Sequence, residues 1–589
     1  MTMTASDTTK AASPLIKRIR SEAVILIVLF AVAAISWSPR LSGPIDLRYD
    51  AGLYFILGTS LAEGRGYRLL NEPGDIEATQ YPPLLPFIVA AHQWVLGTRD
   101  VIAVGHWLRL TFFLIYLAFS LCVYLTLRKY LPLGSAFLAT LICLLSLYTY
   151  LMSNQLAAEV LFGLTTTLFF LCHRKGDGRA AGVVSFVLAT ASYALRTVGV
   201  ALFAAWVAEA LLEKRWRRAL LRLTLSLIPI ICWQSYIYRV ESSRDYQTPA
   251  YEYQRADYLF YNVSYARNVL LKDSFNPELG RVTIEDVRDR FWKNLKRMPA
   301  SIGEVVTVEK KVWVMPFAGN YPRKTGLVLT LTLTMLGCLA LGGVFLQLVR
   351  RQWIIPLYVS LSIAIVCLTP WPIQLVRYLT PLCPLLALAL FTSLLYLKEL
   401  SSKVLPTASK AVGVFFIAAV VGLILVQQLI VFYQAHTGWI DEVVYDKRGG
   451  GKARHPVFGY FPAERALNAG LDWLMERVGE GEVVAASTPP WVHLRTGLKT
   501  VMPPFELNPE KAQKLLDSVP VTYLLLEEEN FSINGRATSQ YVHPVVQRYP
   551  ELWEQIYSSP DGKFRIYRRV ARRPQTLLRG LQGQKQLPS

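Results

Sequence analysis

The stretch DLRYDAGLYFILGTSLAEGRGY occupies residues 46–67, shortly after the first long apolar segment of the chain. From Asp50 onward its apolar residues recur at spacings of three and four, at Leu53, Tyr54, Leu57 and Leu61. This spacing predicts a helix lying at a membrane surface, with Asp50 at the head of its apolar face and Asp46 one turn earlier. The helix dipole stabilises a carboxylate at a helix start, so each aspartate is explained either as a cap or as a functional group.

The composition of the whole chain indicates a membrane protein. It has 589 residues, of which 53% are hydrophobic and only 18% charged, and its mean hydropathy is +0.31. Such a chain is too apolar for an ordinary soluble enzyme. The net charge of +20 fits basic cytoplasmic loops that face anionic lipid headgroups. No RNA- or DNA-binding signature accompanies this charge, so membrane lipids and not nucleic acid are the expected partners.

The seven cysteines exclude two common kinds of scaffold. All of them fall inside apolar segments, no pair has the spacing of metal ligands, and the long polar segments contain none. A disulfide framework and a structural zinc site are therefore not expected.

Apolar segments long enough to cross a bilayer recur along the first 433 residues. We predict about eleven transmembrane helices, at residues 22–39, 103–127, 134–151, 157–173, 180–195, 198–212, 219–239, 326–348, 353–370, 379–397 and 411–433. The first of them follows Lys17, Arg18 and Arg20 and also fits a secretory signal, but the many later spans favour an uncleaved helix. The apolar run at 84–97 is too short to span and is predicted to be interfacial or re-entrant.

The basic residues orient these spans. With the N-terminus in the cytoplasm, every short inner loop carries a basic pair or cluster, at Arg128-Lys129, Arg174-Lys175, Lys214-Arg215, Arg350-Arg351, and Lys398 with Lys403. The short outer turns hold almost none, which is the positive-inside pattern. The chain is therefore predicted to be a multi-pass protein of the inner (plasma) membrane with a cytoplasmic N-terminus. Three long segments then lie outside: about 40–100, about 240–325 and about 434–589.

These segments divide the chain into three parts. Residues 1–433 form a transmembrane domain that includes the outer loops 40–100 and 240–325. Residues 434–571 alternate helix and strand patterns and end in a hairpin around Asp561-Gly562, which predicts a soluble extracytoplasmic α/β domain. Residues 572–589 are a basic tail that is predicted to be disordered.

Two arginines stand out at the outer membrane edge. Arg196 and Arg377 each lie in or beside an apolar segment, where a charged side chain is costly and usually faces a cavity or a partner. Two arginines near an aspartate suggest an anion site, such as one for phosphate. The alternative is that each reaches the interface or pairs with Glu159, which begins the fourth predicted span.

The remaining outer segments supply aromatic residues and a rigid loop. The loop TQYPPLLPF at residues 79–87 contains three prolines that forbid a regular helix and suit the wall of a cavity. Segment 240–325 is rich in tyrosine, and such residues either stack on sugars or form an interfacial belt, which is the commoner explanation. It continues with a capping box at Thr283 and Asp286, which predicts a helix on the membrane surface.

Several motifs together resemble one family. YDAGLYFILGTSLAEGRGY followed by QYPPLLPFIVA is similar to the first outer loop of the GT-C membrane glycosyltransferases, as are the shorter runs AAEVLFGLTTTLFF, ALRTVGVALF and QLVRYLTPLCPLLALAL. The branch it most resembles contains the bacterial lipid A aminoarabinose transferases and the protein O-mannosyltransferases. The resemblance covers about residues 20–400 and the layout of the C-terminal domain. It implies a polytopic α-helical GT-C-like fold.

The resemblance also implies an activity and a catalytic residue. In that family an aspartate of the first outer loop is catalytic, and the match falls on Asp50, because a tyrosine follows four residues later at Tyr54. Many members carry a second acidic residue directly after this aspartate, where this chain has Ala51. Asp46 is the candidate to take over part of that role, so the assignment between the two aspartates stays open.

The expected function is therefore an inverting glycosyl transfer. The family implies a donor sugar on a polyprenyl phosphate, and the acceptor is a lipid, glycan or protein that offers a hydroxyl or amine. The aspartate would act as general base, and Arg196, Arg377 and Tyr378 would bind the donor phosphate. Tyr54, Glu159 and Tyr81 are the expected substrate-binding residues.

Two other functions fit the same chain. One is a transporter or flippase for a lipid-linked substrate, although the informative polar residues lie at the outer face and no internal repeat is evident. The other is a polysaccharide polymerase or ligase that uses diphosphate-linked glycans. No cofactor and no metal site is predicted; a divalent cation at Asp46, Asp50 and Glu159 stays open, since no spacing demands it.

Overall fold

The computed structural model describes residues 13–173, 178–314, 323–404, 409–447, 450–479, 481–527 and 538–570. Helices make up the chain as far as Gln434, and a smaller domain with two β-sheets follows. The predicted tail at 572–589 lies outside the described residues.

The helices up to Gln434 are numbered in chain order. They are α1 (Ser13–Trp37), α2 (Asp50–Ala62), α3 (Leu84–Leu96), α4 (Val101–Arg128), α5 (Leu133–Leu144), α6 (Leu147–Ser153), α7 (Ala158–Cys172), α8 (Arg179–Leu195), α9 (Val200–Leu212), α10 (Trp216–Glu241), α11 (Arg244–Gln247), α12 (Tyr265–Val269), α13 (Ile284–Val306), α14 (Lys310–Val314), α15 (Arg323–Val349), α16 (Ile354–Cys367), α17 (Leu375–Leu379), α18 (Cys383–Val404) and α19 (Ser409–Gln434).

The polytopic prediction is confirmed, and every predicted span contains helix. In the described part of the chain, six helices are long and apolar enough to cross a membrane, within α1, α4, α10, α15, α17 to α18, and α19. The pair α5 and α6, bent by 57°, makes a seventh if it counts as one broken span. The remaining predicted spans correspond to α7, α8, α9 and α16, apolar helices of 10–17 residues. The total of eleven and the orientation in the membrane stay predictions.

Helix α2 differs from the prediction of a helix that lies on the membrane. Nearly all of its residues from Ala51 to Gly58 are buried, on every face of the helix. Helix α3 packs closely along it, because Gly58 leaves no side chain where a Cβ would lie 2.5 Å from Val89. On another side, Gly52 faces Pro490 of the C-terminal domain. The protein itself, and not lipid, covers the apolar face that the sequence pattern marks.

Helix α13 combines a surface half with a buried half. Its predicted capping box is present, since the Thr283 hydroxyl accepts from the Asp286 N–H at 3.2 Å and the Asp286 carboxylate accepts from the Thr283 N–H at 2.9 Å. Ile284 at its start is exposed, whereas Met298, Ile302 and the residues near its end are buried. The second half packs against α15 in the bundle.

The C-terminal domain contains the predicted alternation of helices and strands. Its strands are β1 (Ile440–Asp446), β2 (Lys452–Phe458), β3 (Val483–Ala485), β4 (Lys499–Val501), β5 (Val521–Glu527), β6 (Trp553–Ser558) and β7 (Phe564–Arg569). Its helices are α20 (Pro462–Met475), α21 (Pro489–Thr496), α22 (Pro509–Asp517) and α23 (His543–Arg548). β1 and β2 form an antiparallel hairpin, and the other strands form one sheet in the order β4-β3-β5-β7-β6. The predicted hairpin around Asp561-Gly562 joins β6 and β7.

The C-terminal domain rests on both long loops of the transmembrane part. The Thr500 N–H donates to the Asn71 carbonyl at 2.7 Å, and the Tyr253 hydroxyl donates to the Met502 carbonyl at 3.2 Å. Between the loops, the Tyr251 hydroxyl donates to Glu72 at 2.7 Å. The tyrosines at 246, 251, 253 and 261 are therefore buried in protein instead of forming a lipid-facing belt. These contacts gather the three long segments at one end of the helical bundle.

Candidate active site

A cavity of about 730 Å³ lies where the loops meet the bundle. Its apolar part is lined from α9, α10 and α16, by residues such as Val200, Ile230 and Ile365. Its polar part is lined by Asp50, Arg196, Arg377 and a group of aromatic and amide side chains from the loops. The cavity therefore has an apolar part among the helices of the bundle and a charged part beside the long loops.

Asp50 reaches the cavity because of an unusual turn. It is the first residue of α2, and the preceding Tyr49 has a φ of 58°, a left-handed conformation that is rare for a bulky residue. The turn is closed by the Ala51 N–H, which donates to the Arg48 carbonyl at 3.3 Å, and by the Gln155 side chain, which donates to the same carbonyl at 2.9 Å. The side chain of Asp50 is 24% exposed.

Four charged groups form a chain at the polar end of the cavity. The Arg377 Nη2 donates to Asp50 Oδ2 at 2.9 Å, and its Nε donates to Glu159 Oε1 at 2.7 Å. Arg196 Nη1 donates to the same Glu159 oxygen at 2.6 Å. Two carboxylates and two guanidinium groups alternate, so their formal charges cancel. We call these residues, Asp50, Arg377, Glu159 and Arg196, the cavity cluster.

The members of the cavity cluster differ in access. The side chain of Glu159 is 1% exposed and does not line the cavity, whereas those of Arg196 and Arg377 are 21% and 23% exposed and do. Glu159 therefore holds the two arginines in place from behind. Each arginine pairs with Glu159, as one explanation predicted, and each also faces a cavity. That the two arginines bind an anion stays a prediction.

Aromatic residues surround Asp50. The Tyr261 hydroxyl donates to Asp50 Oδ1 at 3.0 Å. The rings of Tyr54 and Tyr81 lie 4.9 Å apart and line the cavity. Burial raises the pKa of both tyrosines, so they stay neutral hydroxyls near neutral pH. Tyr378 also lines the cavity, with its ring 5.5 Å from the Arg196 guanidinium.

Asp46 lies in a different environment. Its carboxylate accepts from Arg48 Nη2 at 2.8 Å and from Arg48 Nε at 3.1 Å, and it does not line the cavity. Arg48 also donates to Glu464 of α20 at 2.8 Å. We call Asp46, Arg48 and Glu464 the sealed cluster. Burial works to raise the pKa of Asp46, but the adjacent Arg48 charge and its hydrogen bonds outweigh it and hold that pKa below its usual value.

The sequence did not single out Tyr261 or Tyr49. Tyr261 belongs to a tyrosine-rich segment, and its spacing does not show which of the tyrosines faces a cavity. Tyr49 stands beside the predicted catalytic residue, but no local pattern predicts its left-handed conformation or the contact of its hydroxyl with Glu464 of the C-terminal domain. The signal available in the sequence was the large number of tyrosines in segment 240–325. It points to the segment but does not show which tyrosine lines the cavity.

No protein-family model matches the chain, and no curated protein sequence does. Solved structures do share its architecture. The oligosaccharyltransferase of Archaeoglobus fulgidus, in complex with Zn and sulfate, is 12% identical over 92% of this chain and 73% of its own, with a TM-score of 0.50. The same organism's oligosaccharyltransferase AglB, in complex with an inhibitory peptide and a dolichol-phosphate, is 11% identical over 93% of this chain and 74% of its own, also with a TM-score of 0.50.

The chain has a GT-C fold. A further solved structure, ArnT from Cupriavidus metallidurans bound to undecaprenyl phosphate, is 11% identical over 93% of this chain and 98% of its own, with a TM-score of 0.48. The fold that the first-loop motif implies is therefore the fold observed, with a helical bundle, long loops at one end and a soluble domain over them.

One of these structures was solved with Zn, and the donor groups of this site decide whether a divalent cation fits here. Asp50 and Glu159 both accept from Arg377, whose positive charge lies where a shared metal ion would bind. Asp46 is held by Arg48 outside the cavity. Among the described residues, no group of three His, Cys, Asp or Glu side chains is placed to hold a metal ion. In this arrangement the residues do not fit a bound divalent cation.

Proposed function

We propose that this chain is an inverting glycosyltransferase that moves a sugar from a polyprenyl-phosphate donor to an acceptor hydroxyl or amine. The observation that carries the proposal is the placement of Asp50. It lines the polar part of a cavity that also has an apolar wall, in contact with Arg377, in a GT-C fold. The sequence alone left Asp46 as a second candidate, but Asp46 is engaged by Arg48 and does not line the cavity.

The cavity suits a donor with a lipid tail and an anionic head. The apolar wall from α9, α10 and α16 would take the first isoprene units. Arg196 and Arg377, each about one fifth exposed, would bind the phosphate. A neighbour with this fold was solved with a dolichol-phosphate, which is a ligand of the same chemical class.

The reaction proposed is a single displacement. Asp50 accepts the proton of the acceptor hydroxyl while the acceptor oxygen bonds to the anomeric carbon of the sugar. The bond from that carbon to the phosphate oxygen breaks, and the electron pair leaves with the lipid phosphate. Arg196 and Arg377 stabilise the charge that develops on the leaving group. Attack opposite the leaving group inverts the anomeric centre.

The contacts of Asp50 leave it able to act as a base. A carboxylate oxygen has two lone pairs, and Tyr261 and Arg377 each occupy one, on different oxygens. These two contacts orient the carboxylate, and one lone pair on each oxygen stays open to the acceptor. Tyr54 and Tyr81 offer neutral hydroxyls and ring faces to the sugar.

The location proposed follows from the basic inner loops. By the positive-inside pattern these loops lie in the cytoplasm, which would place the long segments and the C-terminal domain outside it. The donor would then be presented from the outer leaflet of the inner membrane.

The test is transfer in proteoliposomes. Radiolabelled polyprenyl-phosphate sugars are supplied with a membrane extract as acceptor, and wild type is compared with Asp50→Asn. Loss of the base should slow transfer by about 100- to 10,000-fold. Glu63→Gln, at the opposite end of α2 and paired with Arg65 outside the cavity, is the matched control and should transfer normally.

Two outcomes would contradict the proposal. Unchanged transfer by Asp50→Asn would remove Asp50 as the base. Protein-dependent movement of the labelled lipid between leaflets, without any transfer, would instead support a flippase.

A further inference from the structure

The C-terminal domain holds the turn that precedes Asp50 through hydrogen bonds and an ion pair. Arg48 Nη2 donates to the Phe458 carbonyl at 2.8 Å, and Arg48 Nη1 donates to the Gly459 carbonyl at 3.1 Å. The same Nη1 contacts both oxygens of Glu464, at 2.8 and 2.9 Å. Glu464 also accepts from the Tyr49 hydroxyl at 2.8 Å. One carboxylate of the C-terminal domain thus holds the side chains of two successive residues in the first loop.

These contacts act on a strained part of the backbone. The left-handed conformation of Tyr49 costs on the order of 1–3 kcal/mol and persists only where its surroundings hold it. Tyr49 is the last residue before α2, so its conformation sets the direction in which Asp50 leaves the turn. Glu464 is almost completely buried, which makes its contacts to the two side chains strong and specific.

We propose that Glu464 is a positioning residue that holds Asp50 in its reactive orientation through Arg48 and Tyr49. This inference rests on the proposed function of Asp50 as the base. It assigns the C-terminal domain a direct part in the reaction, because a group on that domain fixes the geometry of a catalytic residue on the transmembrane domain. Glu464 itself does not line the large cavity and does not touch the substrates.

Glu464 also makes a helix-capping contact, and this contact decides which substitution is suitable. One of its oxygens accepts from the Phe461 N–H at 3.0 Å and so caps the start of α20. Glutamine performs this capping as glutamate does. Glu464→Gln therefore keeps the cap and the shape, and removes the negative charge that holds Arg48.

The matched control lies on the same helix. Asp472, also in α20, pairs with Arg495 inside the C-terminal domain and contacts neither the first loop nor the cavity. Asp472→Asn removes an ion pair of the same kind from the same helix. Asp472→Asn therefore measures the general weakening of the domain. Glu464→Gln measures, in addition, the loss of the contacts with Arg48 and Tyr49 of the first loop.

The expected result is a loss of kcat with little change in the KM for the lipid donor. A small displacement of a catalytic group slows a reaction by about 10- to 100-fold, and that is the loss expected for Glu464→Gln. Arg196 is not touched by the change, so donor binding is preserved. Asp472→Asn should keep the wild-type kcat.

A double variant separates positioning from general damage. If Glu464 acts only through Asp50, then Glu464→Gln combined with Asp50→Asn should be no slower than Asp50→Asn alone. Losses that multiply would overturn the proposal, as would a Glu464→Gln enzyme with the kcat of Asp472→Asn.

Hydrogen–deuterium exchange tests the contacts between Glu464 and the first loop without an activity measurement. Peptides that cover residues 46–52 should exchange faster in Glu464→Gln than in wild type or Asp472→Asn. A wild-type chain that transfers no sugar would refute the proposed function and, with it, the catalytic part of this inference. Unchanged exchange in Glu464→Gln, in a chain whose wild type transfers sugar, would refute the role of Glu464 in holding the first loop and would leave the proposed function standing.

Discussion

The sealed cluster and the cavity cluster contain the same chemistry, begin four residues apart in the sequence, and differ in what surrounds them. In both, one arginine bridges two carboxylates: Arg48 joins Asp46 to Glu464, and Arg377 joins Asp50 to Glu159. The sealed cluster is enclosed by the C-terminal domain, with side chains 4% to 11% exposed. The cavity cluster borders a space of about 730 Å³.

The difference shows that an ion pair becomes a candidate for catalysis through its access to substrate. Asp46 and Arg48 hydrogen-bond to other groups of the protein, and these contacts hold the first outer loop in place. Asp50 and Arg377 keep about a quarter of their side-chain surface open to the cavity.

The largest effect is expected for Arg377→Lys in the cavity cluster. Lysine keeps the charge, but its compact ammonium does not provide the planar fork that holds Asp50 and Glu159 together. Under the proposed mechanism, loss of that fork misplaces both Asp50 as the base and the arginine contact to the leaving group, so kcat should fall by about 100- to 1,000-fold. Single-turnover transfer with labelled donor measures the loss.

Arg495→Lys is the matched control for this substitution. Arg495 is a buried arginine that bridges Asp472 and Asn468 inside the C-terminal domain. Its replacement should leave kcat near the wild-type value. An equal loss in both variants would show that any buried arginine matters as much as Arg377.

The next effect is on stability, in the sealed cluster. Asp46→Asn leaves the charge of Arg48 less well compensated in a buried site, which should lower the free energy of unfolding by about 3 kcal/mol. Transfer per folded molecule should fall far less than in Asp50→Asn. Asp50→Asn, at a partly open site, should leave stability close to wild type. Thermal unfolding followed by tryptophan fluorescence compares the two, and equal shifts would mean that the clusters are not distinct.

A buried histidine near the sealed cluster, His455, should make the protein sensitive to acid. Burial lowers the pKa of this histidine from 6.5 to about 3, with the nearby charges of Arg109, Arg48 and Arg40 acting in the same direction and Asp46 acting against it. The unfolded chain then binds the proton at a higher pH than the folded chain does. Stability is therefore complete above about pH 6.5 and falls as the pH drops toward 3.

Replacing His455 should remove this sensitivity. Between pH 7 and pH 5 the histidine accounts for a loss of about 2 kcal/mol, which His455→Gln should not show. Unfolding temperatures at the two pH values measure the difference. His543→Gln, at a partly exposed histidine of the same domain, should keep the wild-type pH dependence. If both variants keep it, His455 is not the group that titrates.

The smallest effect is expected for Tyr261→Phe, beside the cavity cluster. It removes one hydrogen bond to Asp50 and leaves the ring in place, and such a bond contributes about 1 kcal/mol, or roughly fivefold in rate. Tyr253→Phe, in the same segment, removes a hydroxyl that bonds to the Met502 carbonyl away from the cavity. Its transfer rate should not change. A larger loss in Tyr253→Phe than in Tyr261→Phe would contradict the assigned contacts.

Much of the local structure was predictable because it depends on neighbours along the chain. The capping box at Thr283 and Asp286 and the hairpin at Asp561-Gly562 each use residues within a few positions of one another. The helical segments follow from apolar runs, since a backbone in lipid must satisfy its own hydrogen bonds. Helix α2 was predicted from the three-and-four spacing of its apolar residues, but its burial was not, since α3 and the C-terminal domain cover it.

The composition, the apolar segments and the first-loop motif are enough to establish from sequence a polytopic GT-C-like chain with a soluble α/β domain. Local patterning predicts the helices and strands, since periodicity and turn chemistry act over a few residues, whereas the GT-C fold is implied by the resemblance of the first-loop motif. Which aspartate faces the cavity was decided by the tertiary structure, because Asp46 is paired through Arg48 with Glu464, more than 400 positions along the chain. Asp50 likewise meets Arg377 only through folding. Charged groups so far apart in sequence become neighbours only when the chain folds, and no local sequence pattern encodes that contact.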